Sequence, residues 1–276
     1  MPSETARTRK TGPPHGEAAL FAEERQLAIL RRLEAAGKVT VEELAAAFGV
    51  STPTVRSDLS RLEERGLLRR THGGAIGASS TLFEPPFSQR EVMHRPEKRA
   101  IAALAATLVQ EGDTILLDAG TTTCELALRL RPFRSLTVVT NSLENASVLM
   151  DSPGVQVILV GGLIQPRRRA ALGPLAMRFL EPFHVDRAFL AFNGVDAEAG
   201  FTVVDFDAAD VKRQMMARAS EVVVLADSSK IGKTAFAAVA PLAAAHFLIT
   251  DPGIAPEDRR RLQDAGLVVR VASAKA

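Results

Sequence analysis

The chain has 276 residues, 46% of them hydrophobic and 24% charged, with 34 Lys/Arg against 32 Asp/Glu. This composition suits one large globular domain or two ordinary ones, and no apolar run reaches the roughly 18 residues of a membrane span. A single cysteine, Cys124, excludes an intrachain disulfide, and His15, His72, His94, His184 and His246 lack metal-ligand spacing, so no metal or cofactor is expected.

The surplus of basic residues sits in the first quarter. Residues 1–76 hold about 12 Lys/Arg and about 10 Asp/Glu, leaving roughly 22 of each for the remainder. Arg7, Arg9 and Lys10 have no apolar stretch behind them, so a cytoplasmic protein without a secretory signal is expected. Pro2, Pro13 and Pro14 among small polar residues predict a disordered tail over residues 1–21. Residues 22–76 read as a compact helical unit.

A first helix is predicted over about 22–36, with Leu27, Leu30 and Leu33 on one face and Gly37 as its stop. Thr40 and Glu43 have the spacing of a capping box at the head of a second helix, whose inner face is Val41, Leu44 and Phe48. Gly49 suits a tight turn. Ser51 caps a third helix, which tolerates Pro53 in its first turn. Val55, Leu59 and Leu62 point inward, leaving Thr52, Thr54, Arg56, Ser57, Ser60 and Arg61 near the outer face. Gly66 stops this helix, and Leu67 to Gly74 read as a strand and turn, a candidate wing carrying Arg69, Arg70 and His72.

Two short helices around a tight turn, the second with small polar and arginine side chains outward, suit a DNA major groove. The candidate DNA contacts are Ser51, Thr52, Thr54, Arg56, Ser57, Ser60, Arg61, Arg69, Arg70 and His72. Arg56 can contact guanine or phosphate, and Arg69 and Arg70 can hold the flanking backbone. An interaction module with a merely solvated charged face has the same pattern.

Gly77, Ser79, Ser80, Pro85 and Pro86 predict a linker over 77–95. From 96 to 276 short β-branched runs alternate with helical stretches, the mark of an α/β domain with a mostly parallel sheet. Strands are predicted at about 113–117, 135–139, 155–160, 187–192, 221–226 and 246–249. Each is followed by polar or glycine residues: Asp118 to Thr123, Thr140-Asn141, Gly161-Gly162, Asn193-Gly194, Asp227 to Lys230, and Thr250-Asp251. In an open parallel sheet these positions share the edge where ligands bind.

Gly120 to Thr123 stand between a strand and a helix, where backbone N–H groups and threonine hydroxyls can cradle a phosphate. Threonine also makes an ordinary helix cap. Lys230 can neutralise a phosphate or pair with Asp227. Gly232-Lys233-Thr234 is not a P-loop, because the first glycine of that motif falls on Asp227. Arg167, Arg168 and Arg169 can reach an anion or form a solvated loop. Cys124 reads as a packed small residue rather than a nucleophile.

The run Val50-Ser51, Thr54 to Leu59, Leu62-Glu63, Gly66 and Arg70 to Ala75 closely resembles the DeoR family of bacterial transcription regulators. The resemblance continues through Asp118, Gly120, Thr121, Thr122, Thr140-Asn141, Gly161-Gly162, Asp186, Gly194, Lys212, Asp227, Lys230, Gly232 and Thr250-Asp251, so that it covers about residues 22–252. It implies a winged helix-turn-helix followed by a sensor domain similar in fold to ribose-phosphate isomerases. The implied partners are a double-stranded DNA operator and a phosphorylated sugar or related metabolite. The implied effector contacts are Asp118, Gly120, Thr121, Thr122, Asn141, Gly161, Gly162 and Lys230. The chain departs from the family at Ser57, where a second arginine is common, and at Ala208, where a glutamate is frequent.

The reading is a ligand-responsive repressor of carbon-metabolism genes, acting as a homodimer or larger oligomer with no membrane partner. The alternative is a sugar-phosphate isomerase fused to a helical module, with Asp118, Asp196 or Asp207 as the base.

Overall fold

The computed structural model describes residues 21–64, 67–77 and 84–273. Residues 1–20 of the tail expected over 1–21, the Gly66 helix stop and the Ser79-Ser80 part of the expected linker lie outside the described residues, as does the Arg69 side chain, whereas Phe21 is the N-cap of the first helix. The chain divides into two compact units, Met1–Ser79 and Ser80–Ala276.

In the first unit α1 spans Ala22–Ala36, β1 Lys38–Thr40, α2 Val41–Phe48, α3 Thr52–Glu64, β2 Leu68–Thr71 and β3 Gly74–Gly77. The capping box at the head of α2 is formed. Thr40 Oγ1 accepts from the Glu43 N–H at 3.2 Å, and the Glu43 carboxylate accepts from the Thr40 N–H at 3.0 Å. Gly49 ends α2 at φ 62°, in the left-handed region that favours glycine. Val55, Leu59 and Leu62 of α3 are buried as their spacing predicts.

The buried face of α1 departs from the expected leucine stripe. Ile29 and Leu33 are buried together with Arg25 and Gln26, while Leu27 and Leu30 are only half-buried. Asp58 of α3 accounts for this. It is 3% exposed and accepts from Arg25 Nε at 2.5 Å and from Gln26 Nε2 at 3.2 Å. That pairing turns the 25–26 edge of α1 toward α3.

The sequence carries no strand signal at 38–40, yet β1 pairs antiparallel with β3, giving a three-stranded order β1-β3-β2. Gly74 makes this possible, because a β-carbon there would lie 2.0 Å from the Val39 carbonyl oxygen. Three helices and a β2–β3 wing closed by β1 form a winged helix-turn-helix.

The second unit opens with α4 (Phe87–Val92) and α5 (Arg95–Ala106), then β4 (Thr114–Leu117), α6 (Thr121–Leu130), β5 (Leu136–Thr140), α7 (Leu143–Leu149) and β6 (Val155–Leu159). Next come β7 (Leu163–Gln165), β8 (Ala170–Leu172), α8 (Pro174–Leu180), β9 (Val185–Leu190), β10 (Gly194–Asp196), β11 (Gly200–Val203) and α9 (Phe206–Ala217). The chain ends with β12 (Ala219–Leu225), β13 (Ala237–Ala240), β14 (Phe247–Thr250), α10 (Pro256–Asp264) and β15 (Val268–Val271).

Seven strands form one sheet in the order β15-β14-β12-β9-β4-β5-β6, every pair parallel. Its residues alternate between two cores. Ile115, Leu117, Phe189, Val223 and Leu225 face α5 and α6, while Leu116, Ala188, Leu190, Val222 and Val224 face α8 and α9. The sheet is thus a middle layer between helices. The six strands predicted from the sequence all lie in it, and β15, an edge strand of four residues, has no counterpart among them.

Part of the stretch expected as linker is folded. From Glu84 onward the chain packs on the second unit, with Phe87 at 2% exposure anchoring α4 and its N–H donating to the Arg167 carbonyl at 2.9 Å. The apolar Phe87 overrides the turn signal of Pro85-Pro86.

Candidate functional site

In the first unit, Arg56, Ser57 and Arg61 are exposed on α3, and Thr52, Thr54 and Ser60 are half-buried beside them. Ser51 caps α3, with its Oγ accepting from the Thr54 N–H at 3.3 Å and lying 2.8 Å from Thr54 Oγ1. Arg70 and His72 are exposed on the wing. Arg70 also ties the wing to α3, donating from its guanidinium to Ser60 Oγ at 2.7 Å and from its N–H to Glu63 Oε1 at 2.8 Å. The small polar and arginine side chains therefore share one exposed surface of this unit, and Asp58 on the opposite side locks the helix that carries it.

In the second unit, the chain runs from β4 through β5 to β6 on one side and returns to place β9 on the other side of β4. The carboxyl ends of β4 and β9 therefore flank a topological switch point, the usual place for a crevice in an open α/β sheet. Asp118 follows β4 and Ala191 follows β9. Asp118, 2% exposed, accepts from the Ala191 N–H at 3.1 Å and is ion-paired with Lys212 of α9, which is 4% exposed. Lys212 also donates to the Ala191 carbonyl at 2.7 Å. Burial pushes the Lys212 ammonium below its ordinary pKa, against the pull of Asp118 toward the charged form.

A narrow cleft of about 10 Å³ lies at this switch point. Asp118, Ala119 and Asn141 line one side, and Arg90, Arg168 and Lys212 bring three cations to it. Ala170, Leu172 and Ala208 complete the wall. Asn141 is fixed from both ends of its amide, accepting from the Ala119 N–H at 3.0 Å and donating to the Ala171 carbonyl at 3.2 Å. Glu84 closes the group of charges, within 3.1 Å of Arg90 and 2.8 Å of Arg168.

Of the expected effector contacts, Asp118 and Asn141 line this cleft. Gly120, Thr121 and Thr122 form the N-cap and first turn of α6, one step beyond it. Thr123 is not a free donor for a ligand, because its hydroxyl is fully buried and donates to the Asp118 carbonyl at 2.6 Å and the Gly120 carbonyl at 2.9 Å. Gly161 and Gly162 shape the turn after β6 without lining the cleft. Lys230 lies in a short 3₁₀ turn after β12, also outside it. The ends of β12 and β14 form a separate cluster that closes on itself. There Asp251 accepts from the Ser228 N–H, the Ser228 hydroxyl and the Gly253 N–H at 2.6–2.9 Å.

Arg90, Lys212 and Glu84 are additions that sequence spacing does not reveal. Arg168 is the member of the arginine run that enters the cleft. Arg169 instead pairs with Glu144 at 2.5 Å. Ala208 lines the cleft with a methyl group where the family's glutamate is frequent. The adjacent Asp207 is exposed and does not line it. Asp196 spends a carboxylate oxygen on the Glu198 and Ala199 N–H groups of its own turn, both at 2.9 Å.

Cys124 is half-buried, and burial pushes its thiol up to about 12, which suits a packed residue rather than a nucleophile. Among the described residues no cluster of metal-ligating side chains occurs, and no helix is long and apolar enough to cross a membrane.

Comparison with known proteins accounts for both units. Residues 25–81 match the DeoR-like helix-turn-helix domain, and residues 93–252 match the DeoR C terminal sensor domain. The chain belongs to the DeoR family. Among curated DeoR relatives, the HTH-type transcriptional regulator GolR of Listeria innocua is 37% identical over 92% of this chain and 100% of its own length. The transcriptional repressor AccR of Agrobacterium fabrum is 37% identical over 84% of this chain and 90% of its own. The HTH-type transcriptional repressor GlcR of Bacillus subtilis is 37% identical over 84% and 89%. Among solved structures, ribose 5-phosphate isomerase A of Methanocaldococcus jannaschii matches 50% of this chain and 54% of its own, at 19% identity and a TM-score of 0.37.

Proposed function

We propose that this DeoR-family chain is a cytoplasmic repressor that reads an operator with α3 and its wing and releases it in response to a phosphorylated sugar or related metabolite. Residues 22–76 are the operator-reading unit. Ser51, Thr52, Thr54, Arg56, Ser57, Ser60, Arg61, Arg69, Arg70 and His72 are its contact set, with Arg56 at base edges and the wing arginines on phosphates. Ser57, where the family often carries arginine, removes one cation from that face.

The observation that carries the sensing half is the cleft at the switch point. Three cations, Arg90, Arg168 and Lys212, stand there against two carboxylates, Asp118 and Glu84. A site with a surplus of buried cations next to a helix N-terminus favours an anionic ligand. Asn141 is then placed to meet sugar hydroxyls, Asp118 holds Lys212 at the edge of the cleft, and Gly120, Thr121 and Thr122 border the anion from α6. The isomerase reading has no carboxylate to favour it, since Asp118 is committed to Lys212 and the Ala191 N–H, Asp196 to its own turn, and Asp207 faces outward.

The test is a thermal-shift screen of sugar phosphates beside the free sugars, run on the wild type and on Arg168→Gln. A phosphorylated hit should raise the wild-type melting temperature more than its free sugar does, and Arg168→Gln should lose the difference. Stabilisation by free sugars alone would contradict the anionic effector.

A further inference from the structure

Glu84 stands inside the cation cluster as a ligand anion would. Its Oε1 is 3.1 Å from Arg90 Nη1 and accepts from Asn193 Nδ2 at 3.0 Å, and its Oε2 is 2.8 Å from Arg168 Nη2. The carboxylate side chain is only 10% exposed. Burial alone would raise its pKa, but Arg90, Arg168 and the Asn193 hydrogen bond hold it below the ordinary carboxylate value, so it is ionised. A phosphate would use the same two-arginine grip.

Charge balance sets the terms of exchange. Lys212 is matched by Asp118. With Glu84 in place, the two arginines keep one positive charge in excess. A dianion in its place leaves the cluster neutral, whereas a dianion beside Glu84 leaves an excess negative charge in a buried site. The present pairing is also imperfect. Arg168 Nη2 is fully buried and, although 2.8 Å from Glu84, makes no hydrogen bond of good geometry among the described residues. A better-placed acceptor would satisfy it.

Glu84 lies seven positions after Gly77, the last residue of β3 in the winged unit. Its backbone and that of Pro85 are held by Arg167 and Arg90. The carboxylate is therefore the charged anchor at the start of the segment leading into α4.

We infer that Glu84 is an internal competitor of the effector: a doubly charged oxyanion displaces its carboxylate from Arg90 and Arg168 and frees the chain that leads to the DNA-reading unit. This rests on the effector reading above and adds the coupling step to it. A ligand that binds only the released state shifts the population toward that state.

Inorganic phosphate is the probe, titrated into the full chain at pH 8 by calorimetry. Glu84→Gln should bind phosphate about tenfold more tightly than the wild type, or about 1.4 kcal/mol. Phosphate should also raise the melting temperature of this variant more than that of the wild type. In the wild type, saturating phosphate should speed amide hydrogen exchange in residues 84–92, a readout that does not depend on the variant folding. Equal or weaker phosphate binding by Glu84→Gln, or unchanged exchange in 84–92 at saturation, would overturn the competition. Arg168→Gln separates the two claims. If it keeps wild-type phosphate affinity, the cleft is not the anion site. If it loses phosphate while Glu84→Gln gains nothing, the cleft stands and the competition fails.

Discussion

Asp58 lies on α3 among residues that face outward, yet its carboxylate is buried against Arg25 and Gln26. Asp58→Ala removes these buried charge-assisted hydrogen bonds and should cost the winged unit about 1.5–3 kcal/mol. Chemical denaturation followed by circular dichroism checks this, and a loss below about 1 kcal/mol would mean the pair is poorly formed. Lys98 offers a second test at this scale. It is 4% exposed, donates to the Arg90 and Met93 carbonyls, and burial lowers its pKa to about 8 from an ordinary 10.5. Between those two values the unfolded chain binds more protons than the folded one, so the Lys98 contribution to stability rises from pH 8 to 10.5. The Cys124 thiol acts in the opposite sense. Its pKa is raised from 9.0 to about 12, so its contribution is complete below pH 9 and is lost as pH rises toward 12. The sequence has no tyrosine to obscure the comparison. Urea midpoints of wild type and Lys98→Met from pH 7 to 10.5 should therefore diverge, with only the wild type gaining the Lys98 term.

Among the elements, those whose signals are local were legible in the sequence. Thr40 and Glu43 build their capping box across three positions, and Gly49 sets the turn before α3. The strands of the large sheet show as apolar runs because helices cover them on both faces. Elements defined by distant partners were not legible. β1 is three residues long and exists through β3, which lies 34 positions or more away in register. The burial of Arg25 depends on Asp58, 33 residues later. Gly74→Ala is the matching test for the wing. Its new β-carbon would fall 2.0 Å from the Val39 carbonyl, so β1 should separate from β3. The expected outcome is a loss of several kcal/mol in unfolding free energy and of amide protection at 39–40 and 74–76. Arg56→Ala, on the exposed side of α3, should leave stability within about 0.5 kcal/mol and cost roughly 1–3 kcal/mol of operator binding, read by fluorescence anisotropy.

At the scale of the whole chain, the strand-end pattern points to the edge of the sheet where the cleft lies, and to only part of the cleft's lining. Asp118 and Asn141 follow strands directly and were visible for that reason. Arg90, Arg168 and Lys212 come from α4, the β7–β8 turn and α9, and sequence spacing does not bring them together. Glu84 sits beside Pro85-Pro86 in a stretch with the composition of a linker, so its burial depends on packing that composition does not report. The proposed regulator should also bind its operator with strong salt dependence, as phosphate contacts release counterions. The central claim is that an anion bound at Arg90, Arg168 and Lys212 controls DNA affinity. Operator affinity measured at fixed salt, with and without the phosphorylated effector, tests it most directly in wild type and Arg168→Gln. The account predicts at least about a fivefold change in the wild type and none in the variant. An unchanged wild-type affinity at saturating effector, or a full response in Arg168→Gln, would contradict it.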